Sequence, residues 1–443
     1  MTILITPRRF SGTVTIPASK SHTIRQLLIA ALADGNSVIK QPLDSLDTRS
    51  CIAACRAFGA EILSFKDNDD IGWQIKGING FKDHSYLTGS PLKNAKIDVG
   101  NSGTTLYLAL AVAALQEEPV IFTGDEQIQK RSAAPLLDAL AGLGVKSKSN
   151  NGCAPITIQG LFKGGKVSLS CPTSQYLSAL LIASPLAPAG TITEIEVPLL
   201  NEKPYVEMTL SYLKRHNIPF EAAPDFSHFL IPGGSSWTAF TDTVPGDFSS
   251  AAFPAAAAAV TGGPVTILGL DPQDTQGDKF FLKLLEKMGC DVKWQKRCQT
   301  EKRCQAPFLP SVTVSRDGTL QGGTFDLNET PDLLPAAAVV AAFAEGDTAL
   351  VNVAHARIKE TDRIAVMSSE LAKLGVNCTE RPDGIIIHGK GALSPVKNPV
   401  IDGHGDHRIV MAFAVASAGS PVPVNITTAE CAAVTYPGFF EKF

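Results

Sequence analysis

Positively charged side chains stand at the entrance to apolar helical segments in two parts of the sequence. Residues 17–32 read PASKSHTIRQLLIAAL, in which Lys20 and Arg25 lead into a run of core-like residues. Residues 405–413 read GDHRIVMAF and place Arg408 in a similar position. Lys and Arg are rarely buried without a partner. Because a helix N-terminus also attracts negative charge through its dipole and free N–H groups, this arrangement predicts the binding of an anionic substrate.

These two segments belong to a pattern of apolar helix, turn and strand that occurs six times along the chain. A short polar cluster opens every copy, and the clusters read SKS, NSG, TSQ, GDFSS, TPD and GDHR. Ser, Thr, Asn and Asp are ordinary N-caps, so any single cluster is explained as a cap. Six clusters together favour helix ends that create an anion-binding field. The expected helix starts are at Ser21, Ser102, Ser174, Asp247, Asp332 and Asp406.

A second type of helix lies between successive copies, ends at a glycine and continues into a strand. Its copies read CRAFGAEI, DALAGLGVKS, LEKMGCDVKW and SELAKLGVNC, and a weaker version, YLKRHNIPFE, has Asn217 at the turn. Gly or Asn at that point is typical of a left-handed helix C-cap. Each repeat is therefore predicted to be a small α/β module with two helices and several strands.

The first helix of each module is apolar on nearly every side, which implies burial on every side. A small module cannot bury such a helix alone, so several modules must pack together. We predict an α/β protein of two domains, each with three buried parallel helices and an outer coat of short sheets. The stretch TDTVPGD (241–247) is the expected crossover, so residues 1–19 with 243–443 form one domain and residues 20–242 the other.

Composition excludes several other classes of protein. A net charge of −4 provides no general basic field for nucleic acid. The chain has nine cysteines, an odd number, and no two of them form a C-x-x-C pair. This pattern indicates reduced thiols and no zinc site. No signal peptide or membrane-length apolar run is evident, so a soluble cytoplasmic protein is expected. The basic insert at 294–308 is expected to be a solvated loop.

Several motifs taken together point to one enzyme family. The stretches IPASKSHTIR, GNSGTT, TSQYLSALL, KPYVEMT, PGDFSSA, ARIKETDRI, GDHRIVMAF and TYPGFF occur in this order through the chain. As a set they resemble the 5-enolpyruvylshikimate-3-phosphate synthase family. The resemblance implies a two-domain inside-out α/β barrel, each domain with three βαβαββ repeats, and an active site in the interdomain cleft. It also implies a monomer that needs neither cofactor nor metal.

The implied reaction transfers the enolpyruvyl group of phosphoenolpyruvate to the 5-hydroxyl of shikimate 3-phosphate and releases phosphate. Phosphoenolpyruvate carries a carboxylate and a phosphate, and the guanidinium fork of arginine suits both. The resemblance assigns Glu360 and Asp332 to the acid–base steps, with Lys359 beside them. KETDRI alone would also fit a charged helix start. The residues implied to hold phosphoenolpyruvate are Lys20, Arg131, Arg363 and Arg408.

The same resemblance implies residues for the acceptor. Lys20 is expected to touch both substrates and to take part in catalysis. Asn101 and Gly103 are expected at the substrate site as well. The residues implied to line the site of the shikimate phosphate are Ser21, Arg25, Thr173, Ser174, Gln175 and Tyr205.

Three positions depart from the family pattern. Tyr107 stands where the family usually has Arg, and Val434 stands where it usually has Lys. Glu202 precedes KPY, where the family often has a Ser whose hydroxyl binds the substrate phosphate. A carboxylate about 4 Å from a phosphate would cost on the order of 4 kcal/mol at an effective dielectric near 20. Glu202 is therefore expected either to turn away and pair with a cation such as Lys203, or to mark a different acceptor.

Two alternatives to a divergent synthase follow from these departures. One is a paralogous enolpyruvyl transferase that uses another acceptor alcohol, and the other is a relative that has kept the fold and lost turnover. The sibling family that acts on UDP-N-acetylglucosamine fits less well, because it uses a catalytic Cys and residues 112–130 contain none. The acid–base residues argue against a non-catalytic relative.

Overall fold

The computed structural model describes residues 1–67, 70–81, 95–295 and 310–442. Most of the 294–308 insert lies outside these residues. The chain divides into a discontinuous unit, Met1–Pro17 with Pro245–Phe443, and a continuous unit, Ala18–Val244. No helix within the described ranges has both the length and the apolar character needed to cross a membrane. The discontinuous unit begins with strands β1 (Ile3–Ile5) and β2 (Gly12–Thr15).

The continuous unit contains six α-helices and twelve strands within the described ranges. The helices are α1 (Lys20–Leu32), α2 (Leu46–Ala57), α3 (Gly103–Ala113), α4 (Ala134–Gly142), α5 (Gln175–Ala183) and α6 (Lys203–Arg215). The strands are β3 (Asn36–Lys40), β4 (Glu61–Asp67), β5 (Asp70–Lys76), β6 (Ala95–Asp98), β7 (Val120–Thr123), β8 (Lys146–Asn150), β9 (Cys153–Gln159), β10 (Gly165–Ser168), β11 (Ile192–Glu196), β12 (Glu221–Ala222), β13 (His228–Pro232) and β14 (Thr241–Thr243).

These strands form three sheets with the same pattern. The strand orders are β14-β3-β5-β4, β6-β7-β9-β8 and β10-β11-β13-β12. In each sheet the first two strands are parallel and the other neighbours are antiparallel. The second and third sheets follow the chain order βαβαββ. The first sheet takes its first strand from the end of the unit, since β14 pairs with β3 and places Thr241 opposite Val38.

The discontinuous unit repeats this arrangement in two four-stranded sheets, and its third sheet has three strands within the described ranges. Its helices are α7 (Phe248–Thr261), α8 (Phe280–Lys287), α9 (Leu334–Ala342), α10 (Arg363–Lys373), α11 (His407–Ala418) and α12 (Phe439–Lys442). Its remaining strands are β15 (Val265–Leu268), β16 (Asp291–Gln295), β17 (Ser311–Ser315), β18 (Leu320–Asp326), β19 (Ala344–Val351), β20 (Asn377–Arg381), β21 (Gly384–Lys390), β22 (Val400–Ile401) and β23 (Val424–Ile426).

The sheets of the discontinuous unit show how the N-terminal strands complete it. The strand orders are β16-β17-β15-β2, β18-β19-β21-β20 and β1-β23-β22. Strand β2 runs parallel to β15, with Gly12 opposite Val265, and so supplies the first strand of its module. Strand β1 pairs antiparallel with β23 at the other end of the unit. The chain therefore begins in this unit, leaves it at Pro17 and returns at Pro245.

The first helix of each module forms the core of its unit. In α3 every residue except Thr104 is buried, and in α9 and α11 every residue is buried. Helix α3 packs against α1 and α5, and helices α7, α9 and α11 pack against one another. Ala and Val side chains dominate the α9 sequence LPAAAVVAA, and such small side chains fit where a helix has neighbours on every side. The predicted burial of these helices is confirmed.

The predicted helix ends are confirmed at the second helices, where the backbone is left-handed at each turn residue. The φ values are 108° at Gly59, 94° at Gly144, 101° at Gly289, 79° at Gly375 and 54° at Asn217. At the first helices two starts differ from those expected. Helix α1 begins at Lys20 with Ser19 as its N-cap, and Asp332 lies in a 3₁₀ turn (Pro331–Leu333) before α9.

Candidate active site

The first residue of α1, Lys20, faces a carboxylate. Its Nζ lies 3.2 Å from Oδ2 of Asp47, which belongs to the first turn of α2. Both side chains are largely enclosed, with 15% of Lys20 and 7% of Asp47 exposed. Ser45 and Thr48 form a capping box that fixes the start of α2 and hence the position of Asp47. Lys20 is therefore held at the mouth of α1 by a fixed partner.

Arg25 is buried one turn further along α1, and its donors are directed to protein groups. Its Nε donates to Thr209 Oγ1 at 2.9 Å, and Nη2 donates to Ser178 Oγ at 3.2 Å and to the carbonyl of Tyr205 at 3.1 Å. Nη1 donates to the carbonyl of Ser21 at 3.1 Å. Burial lowers the pKa of Arg25 to about 10. Arg25 thus ties α1 to α5 and α6 at the ends where the predicted acceptor residues lie.

The carboxylate of Glu202 lies against the start of α5. Its Oε2 accepts hydrogen bonds from the Ser174 backbone N–H at 3.0 Å, from Ser174 Oγ at 2.9 Å and from Thr173 Oγ1 at 3.1 Å. We call these three donors the Thr173–Ser174 cup. Glu202 is only 2% exposed. Its carboxylate therefore faces two residues predicted to line the phosphate site, which corresponds to the second of the two alternatives from the sequence, and the identity of the acceptor stays a prediction.

Gln175 and Tyr205 border the same cup. Gln175 is the first residue of α5, and its buried Oε1 has no hydrogen-bond partner among the described residues. The Tyr205 backbone N–H donates to the carbonyl of Glu202 at 3.1 Å in the first turn of α6. Ser174, Gln175, Glu202 and Tyr205 therefore lie around one helix start.

Arg131 lies against the start of α3. A Cβ atom built on Gly103 would come within 2.7 Å of Arg131 Nη1, so the guanidinium approaches the helix closely because residue 103 has no side chain. Asn101, just before this helix, donates through Nδ2 to Asp125 Oδ2 and Gln127 Oε1, each at 2.6 Å. The structure thus brings Gly103 and Arg131 together at one helix N-terminus.

In the discontinuous unit, Arg363 binds three carboxylates. Its Nη1 donates to Asp332 Oδ1 at 2.7 Å, Nη2 to Glu360 Oε2 at 2.6 Å and Nε to Asp406 Oδ2 at 2.8 Å. The side chains of Arg363 and Asp406 are 1% and 0% exposed. Burial would lower the pKa of Arg363, but the charges of Asp406, Glu360 and Asp332 raise it well above its usual value. Arg363 is therefore a fixed cation that orients the acidic groups around it.

Asp332 bridges two arginines. Besides Arg363 at Oδ1, it accepts a hydrogen bond at Oδ2 from Nη2 of Arg408 at 2.8 Å. Burial by itself would raise the pKa of Asp332, but the charges of Arg408, Lys359 and Arg363 hold it well below the usual range of a carboxyl group. Asp332 is therefore ionised at neutral pH, which is the state that accepts a proton.

Asp406 fixes Arg408 as well as Arg363. It is the N-cap of α11, and its Oδ1 accepts the Arg408 backbone N–H at 2.8 Å. His407 lies between these two residues and is 2% exposed. One buried carboxylate thus places both predicted arginines of this unit.

Asp278 is a further acidic group in this region. It is 2% exposed and accepts a hydrogen bond from Ser249 Oγ near the start of α7. Burial, together with the negative charge of Asp332, raises the pKa of Asp278 to about 7, while Arg408 acts in the opposite direction. Asp278 therefore responds to the charge state of Asp332 and Arg408.

The two family positions that lack a cation are apolar or aromatic in the structure. The ring of Tyr107 packs edge-on against Tyr176, with centroids 5.0 Å apart. The hydroxyls of Tyr107 and Tyr176 donate to the carbonyl of Ser132 at 3.5 and 2.6 Å. Val434 is half-buried at the end of the 3₁₀ turn Ala429–Val434, which packs against α11.

Comparison with known proteins identifies the family of this chain. The family model of EPSP synthase (3-phosphoshikimate 1-carboxyvinyltransferase) matches residues 5–443. The chain belongs to the EPSP synthase family.

The 3-phosphoshikimate 1-carboxyvinyltransferase of Acetivibrio thermocellus is 42% identical over 441 residues, covering 99% of this chain and 96% of the relative. That of Methanocella arvoryzae is 42% identical over 433 residues, covering 97% and 94%. A solved structure of EPSP synthase from Acinetobacter baumannii superposes with a TM-score of 0.78 at 27% identity, covering 100% of this chain and 97% of that one.

Membership of the EPSP synthase family confirms the resemblance found in the sequence. The match to the solved EPSP synthase also confirms the inside-out α/β barrel. The roles of individual residues stay predictions. The geometry adds that the predicted residues fall into two groups. Asp332, Glu360, Arg363 and Arg408 form one group in the discontinuous unit, with Lys359 close enough to shift the pKa of Asp332. The other group belongs to the continuous unit.

Three acidic residues beside predicted residues were not predicted from the sequence: Asp47 binds Lys20 in the continuous unit, and Asp406 and Asp278 lie beside Arg363 and Asp332 in the discontinuous unit. Asp47 appears in the sequence only as an acid in the first turn of a helix. The sequence predicts Asp406 as a helix start. Its contact with Arg363 could not be predicted, because Arg363 lies in a distant segment of the sequence. Asp278 gave no signal, because a single Asp after a glycine is typical of many turns. Within the described ranges no group of three or more His, Cys, Asp or Glu side chains could hold a metal ion.

Proposed function

We propose that this chain transfers the enolpyruvyl group of phosphoenolpyruvate to the 5-hydroxyl of shikimate 3-phosphate and releases phosphate. In this reaction the hydroxyl oxygen bonds to the enol carbon bearing phosphate, and the hydroxyl loses its proton. The neighbouring methylene carbon gains a proton, and then loses one as the carbon–oxygen bond to phosphate breaks. The observation that carries the proposal is the ionised Asp332 held between Arg363 and Arg408, with Glu360 on the same guanidinium.

We assign the acid–base steps to Asp332 and Glu360. Both carboxylates bind Arg363, which fixes their orientation. Asp332 is 21% exposed and Glu360 14%, whereas Asp406 on the same arginine is fully buried. A carboxylate that is partly exposed and held by a rigid cation is suited to proton transfer with a substrate. The fully buried carboxylate of Asp406 is suited to holding Arg363 in place. Lys359 adds positive charge close to Asp332.

The anionic groups of phosphoenolpyruvate need several fixed cations. We assign this role to Lys20, Arg131, Arg363 and Arg408. Each has a defined position: Lys20 by Asp47, Arg131 beside Gly103, and the other two by Asp332 and Asp406. Positioned cations stabilise developing negative charge better than mobile ones, because little reorganisation is needed during the reaction.

We assign the acceptor to residues of the continuous unit. Ser21, Thr173, Ser174, Gln175 and Tyr205 would line the phosphate of shikimate 3-phosphate, and Asn101 would lie near the substrates. Arg25 differs from the others, because four of its five N–H groups donate to Thr209, Ser178, Ser21 and Tyr205. Its proposed part is therefore to position Ser21 and Tyr205.

One observation favours a second candidate, an enolpyruvyl transferase with a different acceptor alcohol. Glu202 fills the Thr173–Ser174 cup with negative charge, and an acceptor without a phosphate would not compete for those donors. Phosphate release from phosphoenolpyruvate, measured with shikimate 3-phosphate and with shikimate in parallel, separates the two. Turnover with the phosphorylated acceptor is expected. Turnover with shikimate alone would support the second candidate, and none with either would indicate another acceptor alcohol or a non-catalytic relative, which assays with other alcohols would separate.

We also propose that the enzyme works in the cytoplasm as a monomer. The support is the family resemblance, since members of this family are typically monomeric and act in biosynthesis. Light scattering on the purified protein should give a mass close to the 46.8 kDa of one chain.

A further inference from the structure

The side chain of Glu202 behaves as an internal anion at a helix N-terminus. Ser174 is the N-cap residue of α5, yet its hydroxyl makes no cap within its own helix. The Ser174 backbone N–H is bound instead by the carboxylate of Glu202, which also takes the hydroxyls of Ser174 and Thr173. Helix N-termini with free N–H groups bind carboxylates and phosphates by the same electrostatics. The cup is therefore an anion site whose occupant is part of the chain.

Glu202 is held beside the cup by its backbone. Cys171 and Leu200 form a parallel bridge, the Cys171 N–H donates to the Leu199 carbonyl at 2.8 Å, and the Asn201 N–H donates to the Cys171 carbonyl at 3.1 Å. These bonds align the segment before α6 with the segment before α5. Glu202 itself has φ of 60° and ψ of 41°, a left-handed conformation that residues with a Cβ rarely adopt. Rare backbone conformations persist only where the surrounding structure enforces them.

We propose that Glu202 sets the affinity and selectivity for the phosphorylated acceptor by occupying the Thr173–Ser174 cup in the free enzyme, from which the substrate phosphate must displace it. This inference rests on the proposed function, in which the cup takes the phosphate of shikimate 3-phosphate. Both anions need the same three donors, and two like charges in one cup repel each other. Glu202 therefore competes with the phosphate and lowers the advantage of shikimate 3-phosphate over shikimate.

Two variants separate the charge of Glu202 from its bulk. Glu202→Gln keeps the shape and removes the charge, and Glu202→Gly empties the cup and accepts the left-handed backbone. The matched control is Glu207→Gln, which removes the same charge from an exposed position of the same helix. Dissociation constants for shikimate 3-phosphate and for shikimate are measured by calorimetry in the absence of phosphoenolpyruvate. Thermal unfolding of each variant verifies that it is folded.

We expect shikimate 3-phosphate to bind about tenfold more tightly to Glu202→Gln than to wild type, because the competing charge is lost. Glu202→Gly loses the same charge and should bind shikimate 3-phosphate at least as tightly as Glu202→Gln does. Shikimate should bind all four proteins within a factor of about two, since it places no phosphate in the cup. Unchanged or weaker binding of shikimate 3-phosphate to both folded variants would overturn the proposal. An equal gain for shikimate would overturn it too, because the effect would then not concern the phosphate.

A third variant tests the premise separately. Thr173→Val removes one donor of the cup and leaves Glu202 in place. We expect it to weaken binding of shikimate 3-phosphate and to leave shikimate unaffected. If shikimate 3-phosphate binds this variant as tightly as it binds wild type, the assignment of the cup as the phosphate site is wrong. The proposal then fails because its premise fails, whatever Glu202 does.

Discussion

Arg363 donates a hydrogen bond from Nη1 to Oδ1 of Asp332 across 2.7 Å, and this pair joins a residue proposed to hold phosphoenolpyruvate to a residue proposed for the acid–base steps. Arg363 is almost fully buried, whereas Asp332 keeps about a fifth of its surface exposed. The buried partner is thus the anchor and the exposed partner is the group that a substrate can reach. Three carboxylates on one guanidinium also mean that the loss of any one of them leaves the charge of Arg363 partly balanced.

Asp332→Asn tests the role of this carboxylate. The asparagine side chain has nearly the same shape, but it cannot accept a proton at neutral pH, and its amide N–H₂ group repels one of the two guanidinium donors. We expect turnover to fall by about a hundredfold or more, which is the usual size of a lost general acid or base. Steady-state phosphate release measures the rate. Asp317→Asn, on an exposed turn, should retain the wild-type rate. A rate within threefold of wild type in folded Asp332→Asn would remove Asp332 from the mechanism.

Arg25→Lys tests whether Arg25 supports the fold of the acceptor region. Lysine cannot reproduce the fork that binds Thr209, Ser178 and the Tyr205 carbonyl, so several buried acceptors lose their donor. At roughly 1 kcal/mol for each hydrogen bond, we expect the free energy of unfolding to fall by about 2–4 kcal/mol. Urea titration followed by circular dichroism measures this change.

The matched control for that variant is Arg49→Lys. Arg49 also binds with a fork, to Asp44 at 2.7 and 2.9 Å, but its side chain is 63% exposed. Surface ion pairs contribute about 0–1 kcal/mol, so this change should be nearly silent. Equal destabilisation by the two substitutions would mean that the buried network of Arg25 contributes no more than a surface pair.

Asp278→Asn tests the pH dependence of stability. Burial and the charge of Asp332 raise the pKa of Asp278 to about 7 in the folded chain, whereas an unfolded Asp titrates near 4. Between those values the folded state holds a proton that the unfolded state lacks. The stability from this group is therefore complete below about pH 4 and is lost as the pH rises through about 7.

Asparagine mimics the protonated form at every pH. Asp278→Asn should therefore raise the unfolding temperature by a few degrees at pH 5 and by several degrees more at pH 8, since a gain of 1 kcal/mol moves Tm by about 2–4 °C in a domain of 150–250 residues. Differential scanning calorimetry at both pH values measures the difference. Asp291→Asn, at a site half-exposed on β16, should show the same small shift at both. A higher Tm for Asp278→Asn at pH 5 than at pH 8, relative to wild type, would contradict the raised pKa.

Local patterns in the sequence predicted much of the fold. The all-round apolar helices predicted the buried core, and Gly59 or Asn217 marked a helix end because only a few residue types adopt a left-handed backbone at low cost. The motifs identified the family, and they placed Arg363 and Arg408 in one site. The helix ends and the buried helices depend on neighbouring residues or on a pattern that recurs, whereas the grouping of Arg363 with Arg408 was implied by the family resemblance.

Contacts between distant segments could not be predicted in the same way. Glu202 lies in a left-handed conformation that its residue type does not favour, and that conformation directs its carboxylate to Ser174. Asp278 acquires its raised pKa because the tertiary structure buries it and brings it close to the charge of Asp332, whereas its hydrogen bond with Ser249 acts in the opposite direction. In both cases the tertiary structure overrides the local preference, and no spacing in the sequence reports it.

Val434→Lys tests whether a missing cation limits the use of phosphoenolpyruvate. Val434 is half-buried on the turn that packs against α11, the helix that carries Arg408. A lysine there can bury its aliphatic stem and still present its ammonium to solvent or ligand. A charge-assisted hydrogen bond is worth about 1.5–3 kcal/mol, so we expect KM for phosphoenolpyruvate to fall by about tenfold or more. Ala433→Lys adds the same charge at the exposed neighbouring residue and should leave KM unchanged. If both lysines lower KM equally, the gain comes from the general field and Val434 does not mark a lost ligand contact.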